Sequence, residues 1–121
     1  MIKLLLVGND LFIRHGLQMR FAREPDITVV GEANNYADAR PLIQNGCPDV
    51  VVMDQVRPDL DGMKAIALLN DSCPGCAVIM LSLYDAEVMR VQALSAGTVA
   101  FVGKCEGVPA LLAAIRRVSN H

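Results

Sequence analysis

No apolar run in this chain approaches the ~20 residues that a membrane span needs. The opening stretch Met1-Ile2-Lys3-Leu4-Leu5-Leu6-Val7 breaks at Gly8-Asn9-Asp10, before the core and small-residue cleavage site of a signal peptide could form. The expected location is therefore cytoplasmic, with no membrane partner. Excess charge is lacking too: a net charge of -2 leaves no footprint for gripping a phosphate backbone, so contact with DNA would need a separate domain. Repeats, low-complexity tracts and linkers are absent. At 121 residues, 53% hydrophobic and 20% charged, the chain fits one folded domain spanning residues 1–121. Four cysteines, Cys47, Cys73, Cys76 and Cys105, in a chain without an export signal are expected to be reduced.

What is present is a recurring alternation of elements. Strand-length apolar runs lie at Ile2 to Val7, Ile27 to Val30, Val50 to Met53, Val78 to Leu81 and Val99 to Val102, with helically spaced stretches between them. Val50-Val51-Val52-Met53 and Ala77-Val78-Ile79-Met80-Leu81 show no polar alternation, as strands covered on both faces of a parallel sheet require. Asp10 is placed to cap a helix from Leu11, and Asp85 one carrying Val88, Val91 and Leu94 that Gly97 stops. Leu111, Leu112, Ile115 and Val118 form the apolar stripe of a last helix, with Arg116 and Arg117 near its C-terminal dipole. Five beta-alpha units in an open sandwich follow. Ligands of such sheets lie beyond the carboxyl ends of the strands. That rule gathers Gly8-Asn9-Asp10, Asp54, Ser82 and Lys104 on one rim.

These residues, with Pro48-Asp49 before the third strand, Pro58, Asp61-Gly62-Met63 and Phe101, resemble the receiver domain of two-component response regulators over nearly the whole chain. Val29-Val30-Gly31-Glu32-Ala33 and Arg14-His15-Gly16-Leu17 further resemble the NarL/LuxR-type branch, whose members usually continue into a helix-turn-helix DNA-binding domain. The resemblance implies a flavodoxin-like, doubly wound (βα)5 sandwich with sheet order 2-1-3-4-5 and five helices. It implies no enzyme but a phosphorelay switch: Asp54 accepts a phosphoryl group from a histidine kinase or phosphotransfer protein, and Lys104 offsets its charge. Ser82 bonds a phosphoryl oxygen and Phe101 is the switch aromatic. Signalling would then pass to a second copy of the chain or a downstream protein. Taken singly, Asp54 would read as a turn-capping carboxylate, Lys104 as a solvated charge and Phe101 as core.

The pattern fails at the metal. The family resemblance implies Mg²⁺ held by two adjacent acids after the first strand, the acceptor, and a backbone carbonyl two residues beyond it. Here those places fall to Gly8 and Asn9, Asp54 and the Val56 carbonyl, with Asp10 as a further candidate better suited to capping. Mg²⁺ takes hard oxygen ligands, usually including carboxylates, so its binding should be weak or absent. With fewer anions beside it, Asp54 is free to pair with Lys104. Leu83, where the family places a small residue, would shield the acceptor.

Two other functions compete. One is a phosphorylation-independent dimerisation or docking module. The other is a thiol redox or metal sensor built on Cys73-Pro74-Gly75-Cys76, with Cys47 gathered at the same end of the sheet, opposite Asp54. Three thiols are one ligand short of a closed zinc site.

Overall fold

A computed structural model describes residues 1–55, 60–82, 91, 94–95, 97–98, 100–103 and 107–119, with the backbone alone at 55, 60–63, 82 and 101. The elements run β1 (Ile2–Val7), α1 (Leu11–Phe21), β2 (Ile27–Ala33), α2 (Tyr36–Ile43), β3 (Val50–Gln55), α3 (Leu60–Ser72), β4 (Ala77–Ser82), β5 (Ala100–Gly103) and a final helix (Gly107–Ser119). All pairings are parallel, and the order is β2-β1-β3-β4-β5, as the family resemblance implied. Most of the expected helix between β4 and β5 lies outside the described residues.

Side-chain alternation along the strands divides the core into two layers. Leu4, Leu6, Val50, Val52, Ile79 and Leu81 pack with Leu17 and Phe21 of α1 and with Leu111, Leu112 and Ile115 of the final helix. Leu5, Val7, Val51, Met53, Val78 and Met80 pack on the other face with Ala39 and Ile43 of α2 and Ile66 and Leu69 of α3. Burying each such side chain stabilises the fold by roughly 1.5–3 kcal/mol against leaving it in water. Unbroken apolar runs in β3 and β4 therefore reflect a sheet wet on neither face.

Two strands run longer than their apolar cores suggest. β2 extends to Ala33 because a bulge sits in its pairing with β1, where Leu4 faces Val29 and Leu5 faces Gly31. Val30 is the residue left over, and its side chain is half exposed. β3 continues past Met53 because Asp54 and Gln55 still pair with Leu81 and Ser82.

Polar ties set the ends. Asp49 accepts from the Lys3 amide at 2.9 Å, and its own amide donates to the Lys3 carbonyl at 2.8 Å, which registers β3 against β1. Gly97 has φ +117°, and a Cβ there would land on the Asn70 amide, whose Nδ2 donates to the Gly97 carbonyl at 3.1 Å. Only glycine meets both demands.

Arg116 does more than face a helix dipole. Its guanidinium donates twice to Asp26, at 2.9 and 3.1 Å, and lies 3.4 Å from Glu24, tying the final helix to the turn before β2. The Arg116 hydrogen bonds hold the Asp26 carboxyl below its usual range. A carboxylate with a folded pKa lower than its unfolded one adds stability above the unfolded value, and loses it as pH falls through the folded one. Stability should thus decline as pH drops below about 4, by a small amount because the pair is solvent-screened. The Asp26 carboxyl titration, followed by NMR, should move upward in Arg116→Ala; an unchanged midpoint would contradict the tie.

Candidate functional site

The carboxyl ends of the strands assemble the predicted rim from the backbone outward. β1 ends at Val7, which pairs with Met53, so the chain leaving β1 at Gly8 passes beside Asp54. The Gly8 amide donates to the Ala33 carbonyl at 2.9 Å, continuing the β1–β2 ladder one residue past the strand. Asp54 is 3% exposed, buried at the second-last position of β3. By alternation it falls on the same face as Val50 and Val52, the face covered by α1 and the final helix.

Across from it, Asp54 pairs with Leu81, and the next step pairs Gln55 with Ser82. The backbone therefore brings Asp54 and Ser82 to one rim on adjacent strands. Ser82 in turn pairs with Gly103 of β5, the residue before Lys104. Phe101 lies further down β5, paired with Met80. Lys104, Val56, Pro58 and Leu83 fall outside the described residues, and with them the proposed Asp54 to Lys104 pair.

At the positions of the expected metal ligands, the rim offers little. An ideal Cβ built on Gly8 would stand 2.8 Å from the Asp54 carbonyl oxygen and 3.0 Å from Asp54 Cβ. The Asp54 backbone occupies the space in which a side chain at position 8 would start. Asn9 is exposed. Asp10 caps α1: its Oδ1 accepts from the Phe12 amide at 3.0 Å and the Ile13 amide at 3.2 Å. Such a cap is worth about 1 kcal/mol, a cost that swinging this oxygen toward a metal would incur. Among the described residues no three His, Cys, Asp or Glu side chains group as a metal site would require. The described donor set does not fit a Mg²⁺ ion bound through several carboxylates.

Residues not assigned a chemical role on sequence help to shape the rim. Arg14 is buried and donates to Asn34 Oδ1 at 2.9 Å, fastening α1 to the chain just beyond β2. Asn35 caps α2 by accepting from the Asp38 amide at 2.9 Å. An arginine inside an otherwise amphipathic helix was the available signal for the first of these.

At the opposite end of the sheet the cysteines depart from expectation. Cys47 and Cys73 are joined in a disulfide, their Cα atoms 5.8 Å apart, whereas reduced thiols were expected. Cys73 bonds to Cys47 and not within Cys73-Pro74-Gly75-Cys76, and Cys76 remains a buried thiol. Burial pushes Cys76 up to about 11, which disfavours the thiolate needed for redox or metal chemistry. The loop before β3 and the end of α3 meet here only through folding, since 26 positions separate the two partners.

Residues 4–116 match the model of the response regulator receiver domain. Response regulator protein VraR of Staphylococcus saprophyticus is 32% identical over 122 residues, spanning 99% of this chain and 57% of that protein. Chemotaxis protein CheY of Listeria monocytogenes is 30% identical, with 99% of this chain covering 100% of its length. The response regulator domain of Thermotoga maritima CheB superposes with a TM-score of 0.85 at 30% identity, covering 100% of this chain and 98% of that one. A LuxR-family response regulator from Aurantimonas sp. SI85-9A1 shares the fold, with a TM-score of 0.89 at 24% identity over 99% of this chain and 86% of its own. The chain spans about half the length of several curated relatives, among them an uncharacterized transcriptional regulatory protein of Bacillus subtilis covered to 47%.

Proposed function

This chain belongs to the response regulator receiver domain family, with relatives of the LuxR/NarL type, and from that membership we propose that it accepts, or imitates accepting, a phosphoryl group at Asp54 with weakened dependence on Mg²⁺. Receiver domains are signalling modules, they generally bind Mg²⁺ at an acidic pocket, and response regulators interact with histidine kinases or phosphotransfer proteins. The observation that carries the reading is the buried Asp54 carboxylate at the strand-end rim, one register step from Ser82 on the next strand.

In this reading the P–N bond of a partner's phosphohistidine breaks as a P–O bond forms to an Asp54 carboxylate oxygen. The transferring group needs charge stabilisation more than covalent help. Lys104, next after Gly103, offsets the phosphoryl charge, and the Ser82 hydroxyl donates to a phosphoryl oxygen. Phe101 carries the state across β5. Asn9, the Val56 carbonyl and Asp10 are weak substitutes for the usual metal ligands. Among the described residues no helix is long and apolar enough to cross a membrane. We place the chain in the cytoplasm beside its kinase, signalling to a second copy or a downstream protein, with DNA reached only through another domain.

The lack of room for a side chain at Gly8 beside Asp54 favours one alternative, a receiver that docks or dimerises without phosphorylation. Intact-mass analysis after incubation with acetyl phosphate separates the two. The expected result is one added phosphoryl group on the chain, none on Asp54→Ala, and little change in yield between metal-free and millimolar Mg²⁺ conditions. No addition under either condition would replace the acceptor reading with the docking one. A yield wholly dependent on Mg²⁺ would show a metal site intact despite Gly8.

A further inference from the structure

At the amino-terminal end of the sheet, remote in the fold from Asp54, the Cys47–Cys73 bond is asymmetric in its surroundings. Cys73 is 1% exposed and belongs to the core layer under α2 and α3. Cys47 is exposed and lines an open pocket of about 470 Å³ together with Arg40, Gln44 and Ser72. Cys47 is thus the half of the bond on the solvent side, while Cys73 is sheltered. Arg40, itself exposed, places a positive charge on the pocket wall. Cys76, the nearest cysteine in sequence, is buried and bonded through its backbone to the Cys73 carbonyl at 3.0 Å, with no disulfide partner.

We propose that Cys47 and Cys73 form a reversible thiol–disulfide exchange site for a small anionic thiol of the glutathione class, entered through the pocket at Cys47. The thiolate of the incoming molecule attacks Cys47 Sγ. The Cys47–Cys73 bond breaks, and its electron pair leaves on Cys73 Sγ, which takes up a proton from solvent. A second thiol attacks the mixed disulfide at its external sulfur, releasing Cys47 and carrying away a low-molecular-weight disulfide. The net change is protein disulfide plus two thiols to protein dithiol plus one external disulfide, and oxidation by glutathione disulfide is the reverse. Exchange by this route depends on access to the attacked sulfur and on its thiolate partner. Residues 47 and 73 bracket β3, with Asp54 on it, and α3, so the bond clasps the two ends of the unit that bears the rim carboxylate. None of this depends on whether Asp54 accepts a phosphoryl group.

The test equilibrates the native chain in reduced and oxidised glutathione mixtures, quenches with acid, labels free thiols with a maleimide and maps the peptides. Two cysteines should gain and lose label together, mapped to 47 and 73, with Cys76 unchanged. Under limiting reduced glutathione the trapped adduct should sit on Cys47, and Cys73→Ser should take glutathione there from glutathione disulfide. Because Cys73→Ser alters a buried position, the wild-type peptide map stands as the independent measurement. Replacing Arg40→Gln should slow reduction by glutathione several-fold relative to neutral 2-mercaptoethanol, as loss of an attracting charge does. A bond that yields only after denaturation, label that stays on all four cysteines, or a mapped Cys73–Cys76 link would each overturn the site. An unchanged preference between the two thiols in Arg40→Gln would overturn the anionic specificity.

Discussion

Reducing the Cys47–Cys73 bond lowers the unfolding free energy of this chain by about 3.5 kcal/mol, the value that chain entropy assigns to opening a loop with a separation of 26 residues. Against a total of roughly 5–15 kcal/mol for a domain of this kind, the loss is large without being fatal. The sheet and both core layers remain, and a reduced Cys73 behaves as a small buried hydrophobe among Ile66, Leu69 and Val78. Denaturant midpoints with and without dithiothreitol measure the effect. Thermal midpoints should separate by about 14 °C, at about 4 °C per kcal/mol for a chain of this size. Cys47→Ser already lacks the link, so its two curves should coincide, which separates the bond from general effects of the reductant. Superimposed curves for the native chain would show that the crosslink contributes nothing.

Restoring an acid at position 8 is expected to damage the fold instead of repairing the metal site. The obstacle is the Cβ, not the carboxylate, because that atom alone would stand 2.8 Å from the Asp54 carbonyl oxygen, a backbone atom that cannot swing aside. Forcing an atom into a packed site costs typically 1–3 kcal/mol. Gly8→Ala should therefore lose about as much stability as Gly8→Asp. Neither should bind Mg²⁺ much more tightly in an NMR titration. Asn9 is exposed, so Asn9→Asp should change stability by less than about 0.5 kcal/mol. It should also strengthen Mg²⁺ binding by adding a second carboxylate to the rim. A Gly8→Asp chain as stable as the native one and tighter for Mg²⁺ would sink this account.

These expectations differ in how far each was visible before folding. The apolar runs at Val50 to Met53 and Val78 to Leu81 specified strands wet on neither face. The stripe of Leu111, Leu112 and Ile115 specified a helix buried on one side. Both are patterns with periods of two to four residues, so a sequence alone displays them. The order of the sheet came from the family resemblance, and the pairings agree with it. Asp10 as a helix cap was likewise legible, because a cap acts only two or three residues away.

What the sequence left open concerns atoms brought together from far apart. Gly8 on its own signals only a missing carboxylate; that the Asp54 backbone leaves no room for a side chain there depends on how β1 and β3 approach one another. Arg116 near a helix end suggested a dipole contact, whereas its partner Asp26 lies in the turn before β2. The cysteines show the limit most clearly. The sequence pointed to reduced thiols, yet the fold sets Cys47 beside Cys73 in a disulfide and turns Cys76 into the core. Sequence periodicity determined the elements and the strand-end rim of this protein. Tertiary packing decided which side chains meet, because contact between distant residues depends on the summed geometry of every strand and helix between them.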